Sequence, residues 1–299
     1  MKTVSQPLAN QRGLMLALFM AFTLPLFGMA QSSTGCMSWY DPAAIFQVHQ
    51  QEVPCLPTLQ SASSLVFEAD STVWSALEDE RPVYWELPLT FPGGAHKKVI
   101  LHAFQAYRSN LEIGHMTKDG LRTERYTPKL LSYRIANDDI HGTVVFLDGH
   151  VAGAIRYQGV QYELGGLECD GRATDLFVLY ATADALIKPT FECGLETLAE
   201  QVHAPQPMGL PSQPSSNSVT ECVEIALDID HFTYNQFGGD CNASVEWALA
   251  LLSGVSEIYQ TELDDLISLA ASYINVWETT DPYAAYTGNA GAMLDAFRL

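Results

Sequence analysis

Cys222-Val-Glu-Ile-Ala-Leu-Asp-Ile-Asp230 alternates strictly, with Val223, Ile225, Leu227 and Ile229 apolar and polar or small residues between them. A period of two is that of a strand with one buried face. After a turn around Gly238-Gly239-Asp240 the spacing becomes helical over 243–259. There Val245, Leu249 (or Ala248), Leu252, Val255 and Tyr259 share one stripe, and Asn242 is the expected N-cap. A second strand is expected over 266–277, ended by the Asp281-Pro282-Tyr283 turn, and a last helical pattern begins over 290–299. Trp247 and Trp277 read as core aromatics, and Glu246 and Glu257 as residues of the solvated helix face. The order strand, long helix, strand, start of helix is that of an α/β unit.

Immediately upstream, residues 204–219 carry Pro205, Pro207, Pro211 and Pro214 among serines, a composition that keeps backbone extended and solvated. This is the expected linker between two domains. Before it, short β-like runs recur over 83–87, 99–107, 130–135, 143–147, 151–157, 160–164 and 175–180. Asp148-Gly149 is a hairpin signal and Gln158-Gly159 a weaker one. Residues 65–203 therefore read as an antiparallel β-rich domain, preceded by a polar, Pro-punctuated segment over 31–64.

At the other end, Lys2 and Arg12 precede an apolar run over 13–27, and Gly28-Met29-Ala30 offers small residues where a signal peptidase reads. The run falls short of the ~20 residues a membrane span needs and contains Pro25. Residues 1–30 are expected to be a secretory signal peptide, so the mature chain is secreted and has no membrane span. Its net charge of −20 is uneven: 189–297 holds sixteen Asp and Glu and no Lys or Arg. That argues against nucleic acid or anionic membrane as a partner.

Secretion puts the six cysteines in an oxidising compartment. Cys222 and Cys241, which flank the first strand and the helix start, read as one disulfide, and Cys36 with Cys55 as another. For Cys193, in Lys188-Pro-Thr-Phe-Glu-Cys-Gly-Leu195, the default is also a disulfide, with Cys169 a candidate partner; connectivity does not follow from sequence. Asn242-Ala-Ser244 is a glycosylation sequon, and His231 beside Asp228 and Asp230 reads as a polar strand end rather than a metal site.

Cys222 to Asp230, Val245-Glu-Trp-Ala-Leu-Ala-Leu-Leu-Ser-Gly-Val-Ser-Glu-Ile-Tyr259 and Ile274-Asn-Val-Trp-Glu-Thr-Thr-Asp-Pro-Tyr283 together resemble the opening of a reprolysin-type (ADAM-like) zinc metallopeptidase domain, in the secreted bacterial branch of the metzincins. Upstream, Leu131-Ser-Tyr-Arg134 and His141-Gly-Thr-Val-Val-Phe-Leu-Asp-Gly-His-Val-Ala-Gly-Ala-Ile-Arg-Tyr-Gln-Gly-Val-Gln-Tyr-Glu-Leu164 resemble the propeptides of that family. The resemblance implies an α+β/α/β multidomain chain: a β-rich propeptide domain, then a truncated start of an α/β metzincin catalytic domain over 220–299. It implies peptide-bond hydrolysis by zinc-activated water, with protein or peptide substrates, and a propeptide whose other partner is its own catalytic domain. Cys193-Gly194 then stands where such propeptides carry a Cys-Gly step. In that reading Cys193 is an inhibitory zinc ligand that displaces the nucleophilic water, and Gly194 lets backbone approach the cleft. The zinc itself would be held by residues beyond Leu299. No two of the eight histidines are four residues apart, the spacing at which one helix offers two to a zinc. No catalytic residue is thus expected within these 299 positions. A secreted non-enzymatic binding module and a stand-alone propeptide-like inhibitor are the alternatives.

Overall fold

Two tight turns, Asp148-Gly149 and Gln158-Gly159, have positive φ at both central residues, 45° and 75° in one, 51° and 77° in the other. That is the type I′ geometry matching the twist of antiparallel strands, and it joins three consecutive strands into a meander. A computed structural model describes residues 45–51, 53, 64–169, 172–185, 221–263, 266–286 and 292–293. The expected signal peptide, most of the N-terminal segment, Cys36, Cys55, Cys193, Gly194 and the 204–219 linker lie outside the described residues, as does nearly all of the last helical pattern.

The meander belongs to a nine-stranded sheet. In chain order its strands are β1 (Phe46–Val48), β2 (Ser64–Ala69), β3 (Tyr84–Thr90), β4 (His96–Phe104), β7 (Leu131–Ile135), β8 (Ile140–Leu147), β9 (His150–Tyr157), β10 (Val160–Cys169) and β11 (Arg172–Ala181). The spatial order is β1-β2-β11-β10-β9-β8-β7-β4-β3. Every pairing in it is antiparallel. The two edge strands β1 and β3 approach each other, so the sheet curls nearly into a barrel. Helix α1 (Ser71–Glu80) packs into its interior. Asp70 caps that helix by accepting from the amides of Thr72 and Val73. Trp74 stacks on Phe177 at 5.4 Å between ring centroids and meets Phe146 edge-on at 5.3 Å. Trp85, Phe67, Phe91 and Tyr133 complete an aromatic core and are almost wholly buried.

The remaining strands make a second sheet, β12 (Glu221–Ile229), β13 (Ile267–Trp277), β5 (Tyr107–Thr117) and β6 (Gly120–Arg125), in the order β12-β13-β5-β6. β12 runs parallel to β13, β13 parallel to β5, and β5 antiparallel to β6. Between β12 and β13 come α2 (His231–Gln236) and the long α3 (Cys241–Glu262). Val245, Ala248, Leu249 and Leu252 of α3 share a core with Leu111 and Ile113 of β5, with Ala271, Ile274 and Val276 of β13, and with Val145 of the large sheet.

This arrangement corrects the expected fold class. The described residues are mostly antiparallel strand with few helices, and 221–277 does not found an α/β catalytic domain of its own. The physical reason lies in β13, whose second edge is taken by the upstream hairpin β5–β6 across the 186–220 interval. A sheet of two strands and one helix leaves apolar surface uncovered, and the hairpin closes it. Three local expectations fail with it. Trp247, Val255 and Tyr259 are exposed, whereas Glu246 and Glu257 are buried. The N-cap is Asp240, which accepts from the Ala243 amide, and Asn242 lies inside the helix.

Gly142 in β8 has φ +131°, and a Cβ there would fall 1.9 Å from the Ala154 carbonyl oxygen of the neighbouring strand. Gly142→Ala should destabilise the fold by about 2 kcal/mol or more. A urea midpoint indistinguishable from wild type would refute this.

Candidate metal centre

On β5 the side chains of Leu111, Ile113 and His115 are all buried, at alternate positions facing α3. The alternation thus carries a histidine into an apolar layer, where it is 4% exposed. His115 pairs in register with Val276 of β13, and the chain leaving β13 returns Glu278 to it, the Glu278 amide donating to the Met116 carbonyl at 3.1 Å. The first residue of α3, Cys241, comes in from the third side. His115 Nδ1 lies 2.7 Å from Glu278 Oε1 and 3.6 Å from Cys241 Sγ. The three donor atoms lie within 4.8 Å of one another. His115 Nε2 is buried without a hydrogen-bond partner, and Glu124 Oε1 of β6 faces it at 3.4 Å. Burial pushes the Cys241 thiol up to about 11, and the negative charges of Glu278, Asp240 and Glu124 push in the same direction.

Cys241 was expected in a disulfide with Cys222, and both are free thiols. Register explains it. Cys222 stands opposite Ser268, whereas Cys241 touches the residue opposite Val276. Eight strand residues at about 3.3 Å each place these levels some 26 Å apart, far beyond the roughly 7 Å between Cα atoms that a disulfide spans. Cys169 is disulfide-bonded, to a partner outside the described residues. Cys193 and Gly194, the proposed switch, are outside them as well.

His231, the first residue of α2, lies in a polar turn capped by Asp230. Its amide donates to Asp281 Oδ2 at 2.8 Å, and its Nδ1 lies 3.2 Å from the Trp277 carbonyl. Asp228 accepts from Asn275 Nδ2 at 2.7 Å, from Trp277 Nε1 at 3.0 Å and from the Tyr283 hydroxyl. The carboxylates of 228 and 281 thus tie the ends of β12 and β13 to the turn that follows.

Of the site, only Cys241 stood out in the sequence, and in a different role. His115, Glu124 and Glu278 carried no local motif. Asp119-Gly120 after the alternating Leu111, Ile113 and His115 is the turn signal that points to the β5–β6 hairpin, although β6 itself carries no apolar alternation.

A second polar cluster fixes α3 against the large sheet. Glu246 is 3% exposed and accepts from the Tyr126 hydroxyl and the Lys129 amide, each at 2.7 Å, and from the Leu130 amide at 3.2 Å. Burial and this carboxylate hold the Tyr126 hydroxyl well above its ordinary range. Further along α3, Ser253 Oγ meets Ser132 Oγ at 2.8 Å, and Glu257 with Gln260 holds Arg134. Glu246→Ala leaves the buried Leu130 amide, the Lys129 amide and the Tyr126 hydroxyl without this acceptor and should destabilise by about 3 kcal/mol. Glu246→Gln retains an acceptor oxygen and should lose less. Equal losses in chemical denaturation would show that the hydrogen bonds contribute little.

No family model and no curated protein matches the chain. Among solved structures, metalloproteinase-II from Bacteroides fragilis is similar at a TM-score of 0.28 and 6% identity, over 71% of this chain. The chain spans 61% of that neighbour's length. A likeness of this degree decides neither fold nor function. Among the described residues no helix is long and apolar enough to cross a membrane.

Proposed function

We propose that the chain is the N-terminal portion of a secreted zinc metalloendopeptidase precursor, with the β-rich part holding the downstream enzyme latent. The observation that carries this reading is the succession of motifs in one chain: the propeptide-like run 141–164, the Cys193-Gly194 step, the Pro-rich 204–219 interval and the peptidase-like stretches beginning at Cys222. None of the eight histidines has the spacing for a catalytic zinc, so no catalytic step is assigned to these residues. Zinc, the peptide substrates and secretion are parts of the same proposal.

The experiment is made on the full precursor. Cys193→Ser replaces a soft thiolate with a hydroxyl that stays protonated and binds zinc poorly. The uncleaved precursor should then gain chelator-sensitive activity on casein, with unchanged secretion. A variant that is latent and poorly secreted would instead mark Cys193 as half of a disulfide, whose loss typically costs about 2–5 kcal/mol in a small secreted domain. A coding sequence without a downstream His-Glu-x-x-His motif would turn the reading to a non-enzymatic binding module or an inhibitor acting in trans.

A further inference from the structure

We propose that His115 Nδ1, Cys241 Sγ and Glu278 Oε1 bind one zinc ion, which staples the β5–β6 hairpin to the β12-α3-β13 stretch. Nitrogen, thiolate and carboxylate donors suit zinc, and the cysteine and histidine disfavour calcium or magnesium. The spacing fits as well. With bonds of about 2.3 Å to sulfur and 2.0 Å to nitrogen, two tetrahedral ligands sit roughly 3.5 Å apart, and Cys241 Sγ lies 3.6 Å from His115 Nδ1. The Nδ1–Oε1 distance of 2.7 Å is that of a hydrogen bond, and it must widen by about 0.6 Å to reach the roughly 3.3 Å between two tetrahedral ligands on zinc. Glu278 has the freedom to do so, its side chain being 27% exposed.

The independent observation is the far side of the ring. His115 is buried, and its Nε2, without a hydrogen-bond partner, faces Glu124 at 3.4 Å. A histidine that ligates metal through one nitrogen commonly gives the other N–H to a carboxylate, which fixes tautomer and ring plane. Once Nδ1 gives up its proton to coordinate zinc, the remaining proton sits on Nε2 and points at Glu124. Binding also offsets the negative charge of Glu278, Glu124 and Asp240, which surround the thiol. Three protein ligands leave a fourth tetrahedral position for water.

Two ligating levels come from different parts of the chain. His115 and Glu124 belong to the upstream hairpin, while Cys241 and Glu278 flank α3 and β13. The ion therefore forms a crosslink between them, made only when the two are docked.

The test is a titration of the full, metal-stripped chain with zinc against a chromophoric chelator, and with cobalt(II) followed by absorption. One ion per chain should bind, and cobalt should give a thiolate charge-transfer band in the near ultraviolet. Cys241→Ala should abolish both, Cys222→Ala and Cys193→Ala should keep both, and Glu124→Gln should weaken zinc by about tenfold, as for other outer partners of metal ligands. Glu278→Gln removes an anionic donor at a partly exposed position while keeping a hydrogen-bonding side chain beside His115. It serves as the second variant, with circular dichroism confirming the fold. Absence of saturable binding overturns the site, as does a cobalt band that survives in Cys241→Ala. A band lost only in Cys193→Ala sinks this inference and leaves the precursor reading standing. Zinc bound with unchanged affinity by both Cys241→Ala and Glu278→Gln marks His115–Glu278 as a part-buried hydrogen-bonded pair alone.

Discussion

A carboxylate such as that of Glu246 persists inside a protein only if donors meet it, and its three donors come from a single short stretch, Tyr126 to Leu130. That requirement ties α3 to the connection between β6 and β7. Ser253 with Ser132, and Glu257 with Arg134, repeat the tie along the helix and fix its rotation over the large sheet. The adjacent face of α3, roughly a quarter-turn away, covers the mixed sheet through Val245, Leu249 and Leu252. A helix between two sheets must satisfy both, and this one does so with apolar packing on one side and matched polar groups on the other. Removing a partner from such a pairing leaves a buried group unsatisfied, a larger loss than the net worth of the bond.

The two sheets have different characters as a result. The nine-stranded sheet closes on an aromatic interior and carries its own core. The mixed sheet has none without α3 and without strands contributed from both sides of the 186–220 interval. Any event that separates the upstream hairpin from β13 would expose Leu111, Ile113, Ile274 and Val276 together. This coupling of distant stretches is what gives the cluster at His115 its interest, because its ligands sit where the coupling is made.

Local signals in the sequence were readable where neighbours in the chain are neighbours in space. The turns at Asp148-Gly149 and Gln158-Gly159, the strand ending at Ile229 and the long helix after it all follow from period and turn chemistry. The β5–β6 hairpin escaped because β6, Gly-Leu-Arg-Thr-Glu-Arg, is exposed throughout and offers no apolar alternation. Glu246, Glu257 and Trp247 were placed on the wrong faces for a related reason. A helix with two docked faces has no single apolar stripe, and burial of its carboxylates depends on donors that lie more than 100 residues away. The architecture itself failed at the same point, since periodicity identifies β13 as a strand and says nothing about which strand takes its second edge. His115, Cys241 and Glu278 could not be grouped at all from spacing.

The topology also sets an order of assembly. His115 and Glu278 stand 163 residues apart in the chain, yet belong to one layer of one sheet. At roughly 5–20 residues per second, synthesis leaves β5 without its parallel neighbour for about ten to thirty seconds. The large antiparallel sheet, whose hairpins pair neighbours, is ready long before that, and the mixed sheet is the slow, non-local step. During the wait β5 presents an open edge with Leu111 and Ile113 uncovered, a template for pairing with other chains. Two features of the chain limit that hazard. The hairpin partner β6 is already in place and carries Arg122, Thr123, Glu124 and Arg125, and the chain's heavy negative charge keeps unfinished copies apart. The vulnerability of this protein is therefore one of timing, concentrated in the interval before its last strand arrives.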